Sequence, residues 1–302
     1  MQSYALPDDK PVTIALMRPD VTVGELQAGG LPQPNAEWTQ TAREQIAKAL
    51  RAEMEERQLN FVIMEERIPA YSAEITEAAR AQCRADALLA AQAAAEAAAA
   101  ARAQALAEEG AAEASAEDET AIAEPVAAPD PGPDCDTLEV EMPVDAAQLV
   151  ADYNGLHEAV VQAILAHKYG LGQGKLPTKK ENFEYTLGPG TVRLGEISNA
   201  NYGLFITTLD QFSSASRKAM QVVGALGCII GACVIVGGGI HVGYVSLVEL
   251  DTGNVVWFNL LRGSQGDVRE EDGARGMVRA IMAPMPTRPG ERTADAAETK
   301  KK

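Results

Sequence analysis

From Ala103 to His167 the chain holds no lysine or arginine, but it holds fifteen aspartates and glutamates. A stretch so one-sided cannot bury itself, because a carboxylate leaves water only when it is paired. It follows the alanine-dominated "AAQAAAEAAAAARAQALAEE". Alanine is the strongest helix former, yet its side chain buries little area. Tyr71–Glu109 is therefore expected as one long helix and Gly110–Asp134 as a solvated acidic linker. Together, residues 71–136 read as an insertion. The core must then come from the flanks, with 1–70 and 137–287 as two halves of one α/β domain and 288–302 as a polar tail. The net charge of −17 sits mostly in the acidic stretch, and a polyanion repels phosphate, so nucleic acid is excluded as a partner.

The flanks carry the patterning of an α/β fold. "VTIALMRP" (Val12–Pro19) is apolar and rich in β-formers, and proline closes it. The Gly- and Pro-rich Gly24–Asn35 reads as a loop. Beyond it, Trp38, Ala42, Ile46, Ala49, Leu50 and Met54 fall at helical spacing, with Asn35 placed as N-cap. "NFVIMEE" (Asn60–Glu66) follows as a second strand, and strand–helix–strand at this spacing makes the two strands parallel. In the second flank, Leu149–Leu165 is amphipathic at helical spacing and Gly170 stops it. A short helix near Gly190–Asn199, a strand from Tyr202 to Leu209 and a hairpin turning at Asp251-Thr252-Gly253-Asn254 come next. A last helix carries Ala274, Met277, Val278 and Ile281 on its inner face. The expectation is a mixed sheet of about five strands with helices packed on it, opening with βαβ and ending with hairpin plus helix.

No charged residue occurs between Lys218 and Glu249. Met220–Ile240 matches the roughly 20 residues that cross a bilayer as a helix. Gly227 and Gly231 form a G-x-x-x-G, with Gly224, Cys228 and Ala232 on or near the same small-residue face, which would let a helix approach a membrane or a partner closely. Gly237-Gly238-Gly239 breaks any such helix, so a buried helix or an interfacial hairpin is favoured over a span.

Motifs for chemistry fall away under the same scrutiny. "YGLGQGKL" (Tyr169–Leu176) lacks the first glycine and the final hydroxyl of a phosphate loop, and it follows a helix. "DTG" at Asp251 is the aspartic-protease tripeptide, but that chemistry needs two carboxylates sharing a proton and only one copy occurs. His157, His167 and His241 show no metal-ligand spacing, and His241 reads as a satisfied structural histidine. Ser213, Ser214 and Ser216 have no nucleophile-elbow pattern. No catalytic residue, cofactor site or metal site is expected. Cys228 and Cys233 read as buried thiols. A Cys83–Cys135 disulfide would need an oxidising compartment and is not the favoured reading. The polar start "MQSYALPDDK" fits either a cytosolic chain or a mature form whose signal has been removed.

"NANYGLFITTLD", "GIHVGYVSLVELDTGNVVWFN" and "GDVREEDGARGMVRAIMAPMP" together resemble the TolB N-terminal/CsgG/LpoB-like group of bacterial envelope lipoproteins. Val248-Glu249-Leu250-Asp251-Thr252-Gly253 and Val256-Trp257 match that group's hairpin, Asn199-Ala200-Asn201-Tyr202 matches it more loosely, and "VTIALMRP" to "NFVIMEE" resembles its opening βαβ. The resemblance implies a periplasmic, outer-membrane-associated protein that works through contacts with an envelope protein, in secretion or envelope assembly, without catalysis. The alternative, carried by the apolar segment 219–240, is a membrane-associated homo-oligomeric assembly or pore subunit in which that segment inserts in lipid or packs against copies of itself. The chain lacks the group's lipobox cysteine, and its 219–236 segment is apolar on both faces, unlike a pore hairpin.

Overall fold

The computed structural model describes residues 4–7, 10–112, 133–170, 183–219 and 239–286. By compactness the chain divides into two units, Met1–Pro69 with Val144–Lys302, and Ala70–Pro143. The residues of the small-residue face, Gly224, Gly227, Cys228 and Gly231, lie outside the described residues, as do Cys233, residues 171–176 of the glycine loop, the acidic 113–132 and the tail.

The first unit is a mixed α/β domain built on a seven-stranded sheet. Its strands are β1 (Thr13–Leu16), β2 (Asp20–Leu26), β3 (Pro32–Pro34), β4 (Asn60–Ile63), β5 (Tyr202–Ser213), β6 (Ile240–Glu249) and β7 (Val255–Arg262). As expected of the opening βαβ, β1 and β4 are parallel, with Thr13 opposite Asn60 and Leu16 opposite Ile63. β5 is the spine. One edge pairs with β1 (Leu16 with Leu204) and then with β2 (Asp20 with Thr207), while β6 runs antiparallel along the other. Between those two registers, Met17–Pro19 faces only Phe205 and Ile206, so the β1–β2 chain carries one extra residue. Pro19 has no N–H for the ladder, and a bulge is where a sheet tolerates that.

The sheet therefore has two strands that the Gly24–Asn35 loop reading omitted. β2 starts before that loop, at Asp20, and pairs with β3 in a hairpin, Gly24 opposite Pro34. A Cβ at Gly24 would overlap the Gln33 carbonyl, so glycine is required where the strands approach. β3, with two prolines, cannot donate fully to a ladder and takes an outer position.

Helices cover both faces. Helix α1 (Ala36–Glu56) begins at Asn35, whose side chain accepts from the Trp38 N–H at 2.9 Å. It buries Ala42, Ile46, Ala49, Leu50 and Met54. The last helix of the fold, Glu271–Met282, packs beside α1 and buries Ala274, Met277, Val278 and Ile281. Both helices bury these residues against Leu204, Ile206, Val245 and Leu247, which share one sheet face. On the other face lies α3 (Ala146–Lys168), capped by Asp145 and ending before Gly170 at φ 67°. A 3-10 turn (Pro189–Thr191) and α4 (Val192–Ser198) lead into β5, and the Glu271–Met282 helix is α5.

The β6–β7 hairpin turns through Leu250–Asn254. Only Gly253, at φ 75°, takes the left-handed conformation there, so the turn is not the two-residue type that the Asp-Gly-Asn composition suggests. Gly253 accepts from the Leu187 N–H at 2.8 Å, and a Cβ on it would overlap the Gly188 backbone.

The long α2 helix (Met64–Ala112) continues the chain beyond β4, so "MEE" of the strand reading is helical, and from Ala70 on the helix belongs to the second unit. The unit boundary falls at Pro69, where the helix loses a backbone hydrogen bond. Cys83 on α2 and Cys135 are joined in a disulfide with Cα atoms 5.7 Å apart. This corrects the expectation that they stay apart. Arg84 reinforces the same junction, reaching Glu77 and, at 3.1 Å, Asp136.

Two outcomes check this fold. Gly253→Ala forces a Cβ into the left-handed region and into Gly188, and should cost about 1–3 kcal/mol in urea denaturation. A non-reducing tryptic map should show the Ala81–Arg84 peptide joined to Ala103–Lys168, the long fragment that trypsin leaves uncut, with the joined species lost on reduction.

Candidate functional site: an aromatic cleft at the open edge of the sheet

β7 is an outer strand. Among the described residues its far side is met only at its start, where Thr186 bridges Asn254 and the Val255 N–H donates to the Tyr185 carbonyl at 2.9 Å. Beyond that bridge the edge opens into a cleft of about 900 Å³, at the upper end of the roughly 300–1,000 Å³ typical of ligand sites. The chain has seven tyrosines, five phenylalanines and two tryptophans. Six of these line the cleft: Tyr4, Tyr169, Phe183, Tyr185, Trp257 and Phe258. Tyr4, Tyr169 and Phe183 are part-exposed, whereas Tyr185, Trp257 and Phe258 are buried behind them.

The rings form two walls, one on each side of the sheet. Trp257 belongs to the α1/α5 face, and Tyr4 packs against that same core. The Tyr4 hydroxyl pairs with that of Tyr202 at 2.9 Å. Phe258 points the other way, with the Tyr169 ring tilted on it at 5.8 Å and Tyr244 stacked at 6.3 Å. Phe183 meets Tyr185 edge to face at 5.1 Å. Pro284 and Pro286, just past α5, join the lining, and Glu184 adds a carboxylate to it. Burial raises the phenol pKa of Tyr169 and Tyr185.

Two polar clusters flank the same sheet. Under α3, His157 is 2% exposed, stacks on Phe205 at 4.7 Å and meets the Ser246 hydroxyl at 2.8 Å. Burial lowers its pKa to about 4. Tyr244 donates to Glu158 beside it, and burial pushes that phenol up. At the far end of β5, the Asp210 carboxylate holds His241 Nδ1 at 2.9 Å, so this histidine has the partner expected of a structural one. Burial raises the Asp210 pKa, partly offset by the hydrogen bond to His241. Next to it, the Arg269 guanidinium forks onto Asp267 and lies between the rings of Trp38 (4.3 Å) and Phe212 (4.4 Å). The fork with Arg269 lowers the Asp267 pKa. Each ion here is matched by a fixed partner, which is an arrangement for joining α1, β5, β6 and the α5 approach.

The other candidate residues are not brought together. Asp251 and Thr252 sit exposed on the turn, where the Thr252 hydroxyl donates to Glu249 at 2.7 Å. An exposed turn supplies none of the enclosure that a proton-sharing carboxylate pair requires. Ser214 accepts from the Arg217 N–H at 3.1 Å and pairs with Ser216, as a helix-capping serine does. Among the described residues no group of three or more His, Cys, Asp or Glu could hold a metal. The cleft itself escapes sequence reading because its rings come from segments scattered over the chain. The one local signal is the pairing of Trp257 with Phe258 on an outer strand.

No family model, no curated protein and no solved structure matches this chain.

The His157 contact gives a pH test. Its pKa is about 4 in the fold and about 6.5 when unfolded. As pH falls from about 6.5 to 4 the unfolded chain takes a proton that the folded chain refuses. The stability present above pH 6.5 is then lost at up to about 1.4 kcal/mol per pH unit. His157→Gln should flatten that slope when urea denaturation at pH 7 and pH 5 is compared.

Proposed function

We propose that this chain is a non-enzymatic protein of the bacterial cell envelope, akin to the TolB N-terminal/CsgG/LpoB-like lipoproteins, that works by holding another protein in secretion or envelope assembly. The observation that carries the reading is the outer strand β7, whose far side is met among the described residues only at its start, beside a cleft lined in part by Tyr4, Tyr169 and Phe183. Exposed strand edges are normally blunted by charge, proline or cover, and large apolar concavities on a surface mark contact sites. Here both features coincide, while the polar clusters beside them are closed on themselves. The Cys83–Cys135 disulfide supports the compartment, since such bonds persist outside the cytosol. The βαβ opening and the hairpin-plus-helix ending support the kinship at the level of fold.

Site-specific photocrosslinking in bacteria that express the full precursor tests this. A photoreactive residue replacing Val256, in the cleft lining, should yield discrete protein adducts. The same group at Gln40, exposed on α1, should yield none. Equal adducts at both positions, or none at Val256, would overturn the contact reading.

A further inference from the structure

We propose that the Cys83–Cys135 disulfide is a redox-sensitive strap: a dithiol opens it, residues 133–143 come away from α2, and the first unit stays folded. Burial is the first reason. Among the described residues of the second unit, Ala70–Pro143, Cys135 is the single buried one, at 6% exposure. From Leu88 to Ala105 every residue of α2 is exposed, Leu88 at 63% and Leu89 at 64% included. An alanine-rich helix offers only methyl groups, so it gives the returning chain little apolar surface to pack on. The first unit has a core of its own, from Ile14 and Ile46 to Val245 and Met277. Cohesion in the second unit therefore falls to particular bonds. Beside the disulfide, Arg84 reaches Asp136 with side chains 46% and 81% exposed, and a pair so exposed contributes little.

Connectivity and charge set what the strap controls. It closes a sequence separation of 52 residues. Between its two cysteines lie eleven carboxylates and two arginines, Arg84 and Arg102. Like charges tied into one ring repel, and a closed ring has fewer conformations than an open chain. Both penalties fall when the bond is cut. The exchange itself is balanced. Cys83 is half-buried and Cys135 buried, so the attacking thiolate meets the Cys83 sulfur. The S–S bond breaks, a mixed disulfide forms at Cys83, and Cys135 leaves as a thiolate that takes up a proton. The second thiol of the reductant then attacks the mixed disulfide, frees Cys83 and leaves the reductant oxidised to its own disulfide. Two electrons and two protons pass from the dithiol to the strap. Asp134 and Asp136 flank Cys135, and their charge disfavours its thiolate, which slows the first step and keeps the strap shut against weak reductants.

This device does not depend on the contact reading, and its test uses the full chain. Genetically encoded fluorescent residues replacing Leu88 and Leu138, both exposed, form an energy-transfer pair across the strap. The chain's two tryptophans, Trp38 and Trp257, both lie in the first unit, so their emission in urea reports that unit alone. Dithiothreitol without denaturant should open Cys83 and Cys135 to alkylation, with a loss of energy transfer. The Cys83→Ser/Cys135→Ser double variant should show the same loss and an unchanged tryptophan midpoint, which separates this bond from Cys228 and Cys233. A bond that resists dithiothreitol until urea unfolds the first unit overturns the switch. Energy transfer that persists in the double variant overturns it too, because other contacts then hold the segment. So does a tryptophan midpoint that falls in the double variant, because the bond would then be a brace for the whole fold.

Discussion

Every layer of the first unit hangs on β5. Its twelve residues hold β1 and β2 on one edge and β6 on the other, so three ladders share one strand. Tyr202, Leu204 and Ile206 feed the core under α1 and α5, while Phe205 carries the stacked His157 of α3. A central strand covered on both faces has to be apolar throughout its first half, and it is, from Tyr202 to Ile206. The polar residues come later, where Thr208 and Asp210 reach the end of the sheet and Asp210 is matched to His241. The extra residue at Met17–Pro19 lets two short strands share one edge of β5 without a gap in the sheet.

That sharing fixes where the sheet ends. One side is finished by β4 and by the proline-bearing β3, which is a poor template for another strand. The other side ends at β7, which has no proline and carries Val255-Val256-Trp257-Phe258. Its one described partner beyond β6 is the short bridge at Thr186. The asymmetry is physical.

How much of this was legible in the sequence depended on how local each cause is. α1 and α5 showed themselves because their buried residues, Ile46 and Leu50 or Met277 and Ile281, recur within a turn. The β6–β7 hairpin was legible for the same reason, since its strands are separated only by the turn. β2 was hidden because its partner β5 lies 187 residues away, Asp20 opposite Thr207, and Gly24 with the prolines of β3 imitates a loop. The Cys83–Cys135 pairing closes a separation of 52 residues, which no spacing rule reads. The cleft is the extreme case, because Tyr4, Tyr169, Phe183 and Trp257 meet only once the sheet exists.

The sheet also constrains the uncharged stretch after Lys218, through its ends. Gln211 and Ile240 are register partners on β5 and β6, and paired strands lie roughly 5 Å apart. A helix crossing a bilayer once would separate its ends by about 30 Å. Two chain ends fixed as neighbours in one ladder cannot also stand on opposite sides of a membrane. A single crossing between them would therefore require the antiparallel β5–β6 ladder to break, and with it the strand that carries both faces of the core. The ladder runs without interruption from Tyr202 opposite Glu249 to Gln211 opposite Ile240. The ends of that stretch are thus fixed as neighbours in one sheet, with the β6–β7 hairpin and α5 packed on the same core.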